Sequence, residues 1–292
     1  MGKKTMTDGA ARLTRDSATS TGHALSAADW LDTHFLAGQC EYETMLRAAG
    51  FQAGWCVLDA GCGGGSFLPL LSELLGENGR INAVDLAPEN VSQVERIVES
   101  GRLQCPVSVR EGDVTALSFD DGQFDGVWSA NVTQYLPDAE LDAMLAETRR
   151  VLKPGGLLAV KDTEDCAFRL HPIPSLLLWR LFDALAGRGE MTVIGGLRAL
   201  HLSHFVREAG FVHVRHKVTY IERQTPLRPV EEAFIAGLVE WLAQEAESLV
   251  MPASEMVYIR ACCDPSHPLY MLRQPGLYWR EANVLLTGYK AA

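Results

Sequence analysis

The stretch Val57-Leu58-Asp59-Ala60-Gly61-Cys62-Gly63-Gly64-Gly65-Ser66-Phe67 reads VLDAGCGGGSF. An apolar run ends at an acid. Glycines stand at positions 61, 63, 64 and 65, and apolar periodicity then resumes at Phe67, Leu68, Leu70, Leu71, Leu74 and Leu75. The first run is short and continuous, as in a strand buried on both faces. The second recurs every three or four residues, as in a helix with one buried side, and stops near Gly76. Bare backbone between them can take positive φ and lets a ligand approach with no Cβ in the way. The start of the helix adds N–H donors and the positive end of a dipole.

Outward from this unit the same alternation continues. INAVD (81–85), VSVRE (107–111), FDGVWS (124–129) and LLAVKD (157–162) read as strands. Helical periods lie between them around Val91, Val94, Ile97 and Val98, and over residues 138–151. Lys153-Pro154-Gly155-Gly156 reads as a turn before the fifth strand. A helix through Leu200, Phe205 and Ala209 closes at Gly210, and VHVRHKVTYIE (212–222) and ANVLLTGY (282–289) complete the strands. Strands alternating with helices predict an α/β fold, a mostly parallel sheet with helices on both faces. Three segments interrupt the alternation: 24–50, 163–195 and 225–281. Each flanks the ends of strands, where open α/β sheets bind ligands. They are expected to form helical lid segments over the site, with extension of the core as the alternative.

Bulk properties narrow the function. The chain has 292 residues and a formal net charge of −11. Lys3, Lys4, Arg12 and Arg15 outnumber Asp8 and Asp16 in the first 23 residues, so the acidic excess lies in residues 24–292. A nucleic-acid partner is not expected without a basic face. Residues 1–23 are polar and rich in Ser and Thr, and read as a disordered tail before a single domain over 24–292. They lack the apolar centre of a secretion signal, and Met6 breaks the myristoylation pattern. No apolar run reaches the length of a membrane span. The seven cysteines are scattered, with no CxxC pair, which points to reduced thiols and a cytoplasmic setting.

The acids sharpen the glycine turn. Asp85 ends the second strand, where a carboxylate can accept from both hydroxyls of a ribose. Asp113 follows the third strand, placed to accept from the exocyclic amine of adenine. Asp59 precedes the glycines, near where an ammonium would sit, and Leu86 and Val114 could sandwich the adenine ring. Each acid alone could be a cap or turn former; together they point to an adenosyl ligand bearing an amino acid. The dinucleotide fingerprint G-x-G-x-x-G, set on Gly61 and Gly63, places its third glycine at Ser66, so pyrophosphate binding is disfavoured.

On VLDAGCGGGSF, AVDLAPENV, EGDVTALSFDDGQFDGVWSANVTQYLPD, RRVLKPGGLLAVKD and HLSHFVREAGF, the chain resembles the class I S-adenosylmethionine-dependent methyltransferases. The resemblance is to the small-molecule branch that includes the ubiquinone and menaquinone C-methyltransferases. It covers roughly residues 50–223 and the last strand. It implies a Rossmann-like seven-stranded sheet with the last strand antiparallel. It implies that Asp59, Gly61 and Gly63 hold the methionine part of S-adenosylmethionine, Asp85 the ribose, and Asp113 with Val114 the adenine. The backbone near Ala130 and Asn131 would lie close to the sulfonium. Two departures stand out. Gln134-Tyr135 replaces the His-His that relatives often carry before Leu-Pro, and the stretch 225–281 is long.

The expected activity is methyl transfer to carbon, oxygen or nitrogen of a small organic acceptor. The alternative is transfer or cyclisation of the cofactor's aminocarboxypropyl arm, which would release methylthioadenosine. A nicotinamide oxidoreductase lacks the third glycine and a Tyr-x-x-x-Lys pair, and a non-catalytic module would not need Asp59, Asp85 and Asp113. His171, in the insert after the fifth strand, is the candidate base. His201 and His204 lie at i, i+3 but no third ligand accompanies them, so no metal is expected. Tyr42, Gln134 and Tyr135 are candidate pocket polar groups, and Arg169, Arg180 and Arg198 candidate contacts to an anionic substrate. The acceptor and the oligomeric state are not read from the sequence.

Overall fold

Each apolar run between residues 55 and 162 becomes a strand of one sheet. The computed structural model describes residues 19–22 and 26–292. Its strands are β1 (Cys56–Ala60), β2 (Arg80–Asp85), β3 (Val107–Glu111), β4 (Phe124–Ala130), β5 (Leu152–His171), β6 (Phe211–Gln224) and β7 (Tyr278–Lys290). They run in the order β3-β2-β1-β4-β5-β7-β6. Pairing is parallel from β3 to β5, and β7 is antiparallel to both β5 and β6. Successive side chains of a strand point to opposite faces, and the core divides accordingly. Val57, Ile81, Trp128 and Ala159 join one buried cluster, whereas Leu58, Val84, Val127 and Leu158 join the other.

Helices cover both faces. The regular crossovers are α3 (Leu68–Leu75), α4 (Pro88–Glu99), α5 (Asp138–Val151) and α8 (Leu202–Glu208). The irregular segments supply α1 (Ala28–Ala37), α2 (Gln39–Ala49), α6 (Ser175–Gly187), α7 (Met191–Arg198), α9 (Pro229–Glu247) and α10 (Ala253–Cys263). Strand order reverses at β1, between β2 and β4, and the crevice beyond the carboxyl ends of these strands is where such sheets bind ligands.

The expected boundaries shift in three places. Residues 163–171 are not lid but continue β5, and 278–281 belong to β7. Lys153–Gly156 loops out of the ladder as expected of a turn, since Phe124 pairs with Leu152 and Gly126 with Leu157. The expected tail ends earlier than residue 23. The backbone N–H and Oγ of Ser20 donate to the two oxygens of Glu89, at 2.7 and 2.9 Å, fastening residues 19–22 to the first turn of α4. Residues 1–18 and 23 of the expected tail lie outside the described residues.

A second irregularity in β5 matters for function. Glu164 pairs with Ala282 and Arg169 with Arg280, so residues 165–168 bulge out of the β5–β7 ladder. A bulge strands backbone groups that must find other partners. Glu164 accepts from the N–H of Cys166 and Ala167 (2.6 and 3.2 Å), while Arg280 and Arg169 donate to the carbonyls of Ala167 and Phe168 (3.0 and 2.6 Å). The sheet thus extends past the carboxyl edge of its neighbours and projects Asp165 and Phe168 out of register, where α1, α6, α7 and α9 gather.

Candidate active site

The glycine turn closes tightly against the sheet. The N–H groups of Gly61 and Cys62 both donate to the Val84 carbonyl at 2.9 Å. Gly61 and Gly63 have φ of 76° and 52°, conformations that favour glycine. A Cβ on Gly61 would stand 2.3 Å from Val132 Cγ2, so this position has neither the torsion nor the space for a side chain.

Beyond the turn lies a cavity of about 220 Å³. Asp59, Gly61, Gly63, Asp85, Leu86, Asp113, Val114, Ala130 and Asn131 all line it. Among the described residues its charged groups are Asp59, Asp85, Asp113 and Glu140, and no lysine or arginine lines it. Such a site opposes an anionic pyrophosphate and suits a ligand that brings cations and hydrogen-bond donors. Asp59 is 2% exposed. Burial, and then the nearby Asp85, push its carboxyl up to about 8, so it lacks a compensating cation and would gain one from an ammonium or sulfonium.

Asp85 has a second task. Its Oδ2 accepts the Gly63 N–H at 2.7 Å, and its Oδ1 accepts the Ala87 N–H and the Asn90 amide, both at 3.0 Å. Three of roughly four lone-pair sites of the carboxylate are filled. One further donor fits without disturbing the turn, rather than the two expected. Asp113 Oδ1 takes the Thr115 N–H and hydroxyl (2.8 and 2.7 Å), a turn that fixes the carboxylate at the cavity edge. Leu86, 52% exposed, and Val114, 9% exposed, line the same end.

Asn131 lies at the inner end, with φ 58°. Asparagine tolerates this region better than most residues, and Lys161 secures it from both sides. The Asn131 N–H donates to the Lys161 carbonyl (2.8 Å), and Lys161 Nζ donates to Asn131 Oδ1 (2.7 Å). Lys161 is fully buried, 4.1 Å from the centre of the Tyr42 ring. Burial draws its pKa down to about 8, against the pull of Glu281 and Asp162.

A second cavity, about 90 Å³, lies beyond this wall. Leu31, His34, Asn131 and Tyr135 line both cavities. The second is built from the irregular segments: Trp30 on α1, Phe182 on α6, Val193 on α7, Phe234 and Trp241 on α9, and Asp165 and Phe168 on the β5 bulge. Burial, and then Glu281, push the Asp165 carboxyl up to about 8. At the junction, His34 Nε2 stands 3.0 and 3.2 Å from the Glu281 oxygens and 2.8 Å from the Tyr42 hydroxyl. Tyr42 donates to Glu281 Oε1 at 2.8 Å, and so does the Asn283 amide. Burial alone would raise the Glu281 pKa, but His34, Lys161 and Asn283 outweigh it and hold it at about 2.

Other candidates fall elsewhere. His171 is exposed at the end of β5 and lines neither cavity, because β5 continues past the site instead of turning into it. It is therefore misplaced as a base. Tyr42 lines the first cavity, Gln134 the second and Tyr135 both. Arg169 serves the bulge, Arg180 pairs with Glu255, and Arg198 donates to the carbonyls of Thr133 and Leu136. None of the three arginines lines either of these two cavities. Among the described residues no cluster of three or more His, Cys, Asp or Glu could hold a metal ion, His201 and His204 included. The sequence reading missed His34 and Glu281, which are 247 positions apart and carry no local signal of their pairing.

The chain is similar to known methyltransferases. Residues 57–156 match a methyltransferase domain family. The chain is 38% identical over 120 residues to the 2-methyl-6-phytyl-1,4-hydroquinone methyltransferase of Synechocystis, covering 41% of this chain and 36% of that protein. It is 28% identical over 194 residues to the demethylmenaquinone methyltransferase of Staphylococcus aureus, covering 59% and 73%. The chain spans less than half the length of two of the curated relatives it matches, 46% and 36%. The Haemonchus contortus phosphoethanolamine N-methyltransferase 2, solved with S-adenosyl-L-methionine, shares the fold with a TM-score of 0.53 at 15% identity, over 92% of this chain and 59% of that one. Among the described residues no helix is long and apolar enough to cross a membrane.

Proposed function

We propose that this chain, which carries a class I S-adenosylmethionine-dependent methyltransferase domain, transfers the methyl group to a small, largely apolar aromatic acceptor. The observation that carries the reading is the shared wall: an acid-lined cavity fitted to a cationic adenosyl ligand meets an aromatic-lined chamber at Leu31, His34, Asn131 and Tyr135. Bound S-adenosylmethionine supplies an activated methyl carbon on a positively charged sulfur. The chain's part is to grip, align and keep dry. Asp59 faces the ammonium, Asp85 one ribose hydroxyl, and Asp113 the adenine amine between Leu86 and Val114. Asn131, held by Lys161, shapes the wall beside the sulfonium. In-line attack demands that the acceptor lie behind the methyl in a site closed to water, and the aromatic walls from α1, α6 and α9 serve both needs as a lid.

The relatives named as hydroquinone and demethylmenaquinone methyltransferases favour a quinol-type ring as the acceptor. The test is product analysis with S-adenosylmethionine and a hydroquinone. Formation of S-adenosylhomocysteine with a methylated ring is expected. Release of methylthioadenosine would replace this reading with transfer or cyclisation of the aminocarboxypropyl arm.

A further inference from the structure

Resting on the methyltransferase reading, we infer that the acceptor is an aromatic hydroxyl compound held in the second cavity, and that His34 takes its hydroxyl proton while Glu281 and Tyr42 hold the imidazole in place. Three observations converge on the histidine. First, its position: His34 lines both cavities, so a group between the chamber and the methyl donor passes its ring. Second, its orientation: Phe234 stacks on the ring with centroids 4.7 Å apart and planes 7° from parallel, and Trp30 stacks at 6.1 Å. Third, its hydrogen bonding: a carboxylate only accepts, so the Nε2 atom facing Glu281 carries the proton. The Tyr42 hydroxyl already donates to Glu281, so its oxygen leaves that arrangement undisturbed. Nδ1 remains as the basic nitrogen. A carboxylate accepting from one ring nitrogen, with no hydrogen bond to the other among the described residues, is the arrangement of a general base.

The chamber selects the class of acceptor. Trp30, Phe168, Phe182, Phe234 and Trp241 offer flat apolar faces. Among the described residues no lysine or arginine lines the chamber, which disfavours a carboxylate or phosphate acceptor. Glu281 from β7 and Tyr42 from α2 bond to His34, and Phe234 from α9 stacks on it. Asp165 from β5 and Tyr135 from the loop after β4 line the same chamber, and Lys161 from β5 lies over the Tyr42 ring. In the step, the acceptor O–H bond breaks, the proton bonds to Nδ1, and the electron pair stays on the acceptor. That pair forms the bond to methyl carbon. From oxygen it gives the ether directly, and from the ring carbon beside it a dienone, whose hydrogen on that carbon then passes to the oxygen as a proton and restores the aromatic ring. The carbon–sulfur bond breaks with its electrons left on sulfur. The imidazolium proton then leaves to solvent, so the chain ends unchanged.

The test uses the full chain with S-adenosylhomocysteine and 4-nitrophenol, whose ionised form absorbs near the visible while its neutral form does not. At pH 6, where the free phenol is mostly neutral, binding to the wild-type complex should raise phenolate absorbance. His34→Gln should still bind S-adenosylhomocysteine by calorimetry, and bind the phenol without the absorbance. Its methyl transfer to a hydroquinone should fall by roughly 10²–10⁴-fold. Glu281→Gln, which keeps the imidazole but removes the charge that favours imidazolium, should cut the phenolate signal at least about tenfold. It also serves if His34→Gln does not fold. Equal phenolate signal in wild type and either variant would overturn the assignment of the base. S-adenosylhomocysteine binding with neither phenol binding nor hydroquinone methylation would overturn the acceptor class and leave methyl transfer standing. Failure of S-adenosylhomocysteine to bind would remove both readings.

Discussion

Asp85 accepts from the Gly63 N–H, the Ala87 N–H and the Asn90 amide, so it is both a clamp on the glycine turn and a ligand group. Asp85→Ala should weaken S-adenosylhomocysteine binding by about 1.5–3 kcal/mol, roughly ten- to a hundredfold in Kd, as read by calorimetry. An unchanged affinity would remove the ribose assignment. Asp59 yields a pH dependence. Its carboxyl titrates near 8 in the folded chain against an ordinary 3.8, so between those values the native state holds a proton that the unfolded chain has lost. Stability from this group therefore falls as pH rises across that window. An ammonium against Asp59 favours the ionised form. Cofactor binding should release a proton below about pH 8, with affinity climbing toward that pH and then levelling. Calorimetry in two buffers of different ionisation heat measures the proton directly, and identical heats would refute the contact.

Among the elements, α1 links the two cavities. Asp32 accepts from Ser66 Oγ (2.9 Å) and Gln93 Nε2 (3.0 Å), tying α1 to the glycine turn and to α4. Asp32→Ala removes both ties while leaving the apolar contacts of Leu31 and Phe35. Loss of about 1–2 kcal/mol from this docking predicts five- to thirtyfold faster amide exchange within α1, with weaker cofactor retention. Exchange at the wild-type rate would mean that α1 is held by packing alone. The β5 bulge was not legible in advance. Thr163 to His171 reads as an insert because the apolar run ends at Val160 and Lys161 to Asp165 are all polar, yet Glu164 and two arginines satisfy the displaced backbone and let the strand resume. The regular elements were legible, since VSVRE and residues 138–151 coincide with β3 and α5. There periodicity and burial agree, whereas in the bulge side-chain hydrogen bonds override the period.

For the whole molecule, the three irregular segments are core as well as chamber wall. Phe234, Ile235, Val239 and Leu242 of α9 are at most 2% exposed and join the cluster that contains Val57 and Trp128 under the sheet. Each such side chain contributes roughly 1.5–3 kcal/mol on burial, against a total domain stability of about 5–15 kcal/mol. Deleting residues 229–263 should therefore unfold the chain, seen as loss of its cooperative thermal transition. A folded product that still binds S-adenosylhomocysteine would instead mark these helices as a detachable cover.

The sequence by itself determined the α/β alternation, the strand–glycine–helix turn and the acids at 59, 85 and 113, because each rests on local torsion and on the period of burial. Tertiary structure decided which residues meet in the chamber. His34 and Glu281 are brought together by the antiparallel return of β7 beside an overlong β5 and by the docking of α1 across the strand ends. Contacts made by such returns depend on the path of the chain through space, and neither residue's neighbours in sequence encode them.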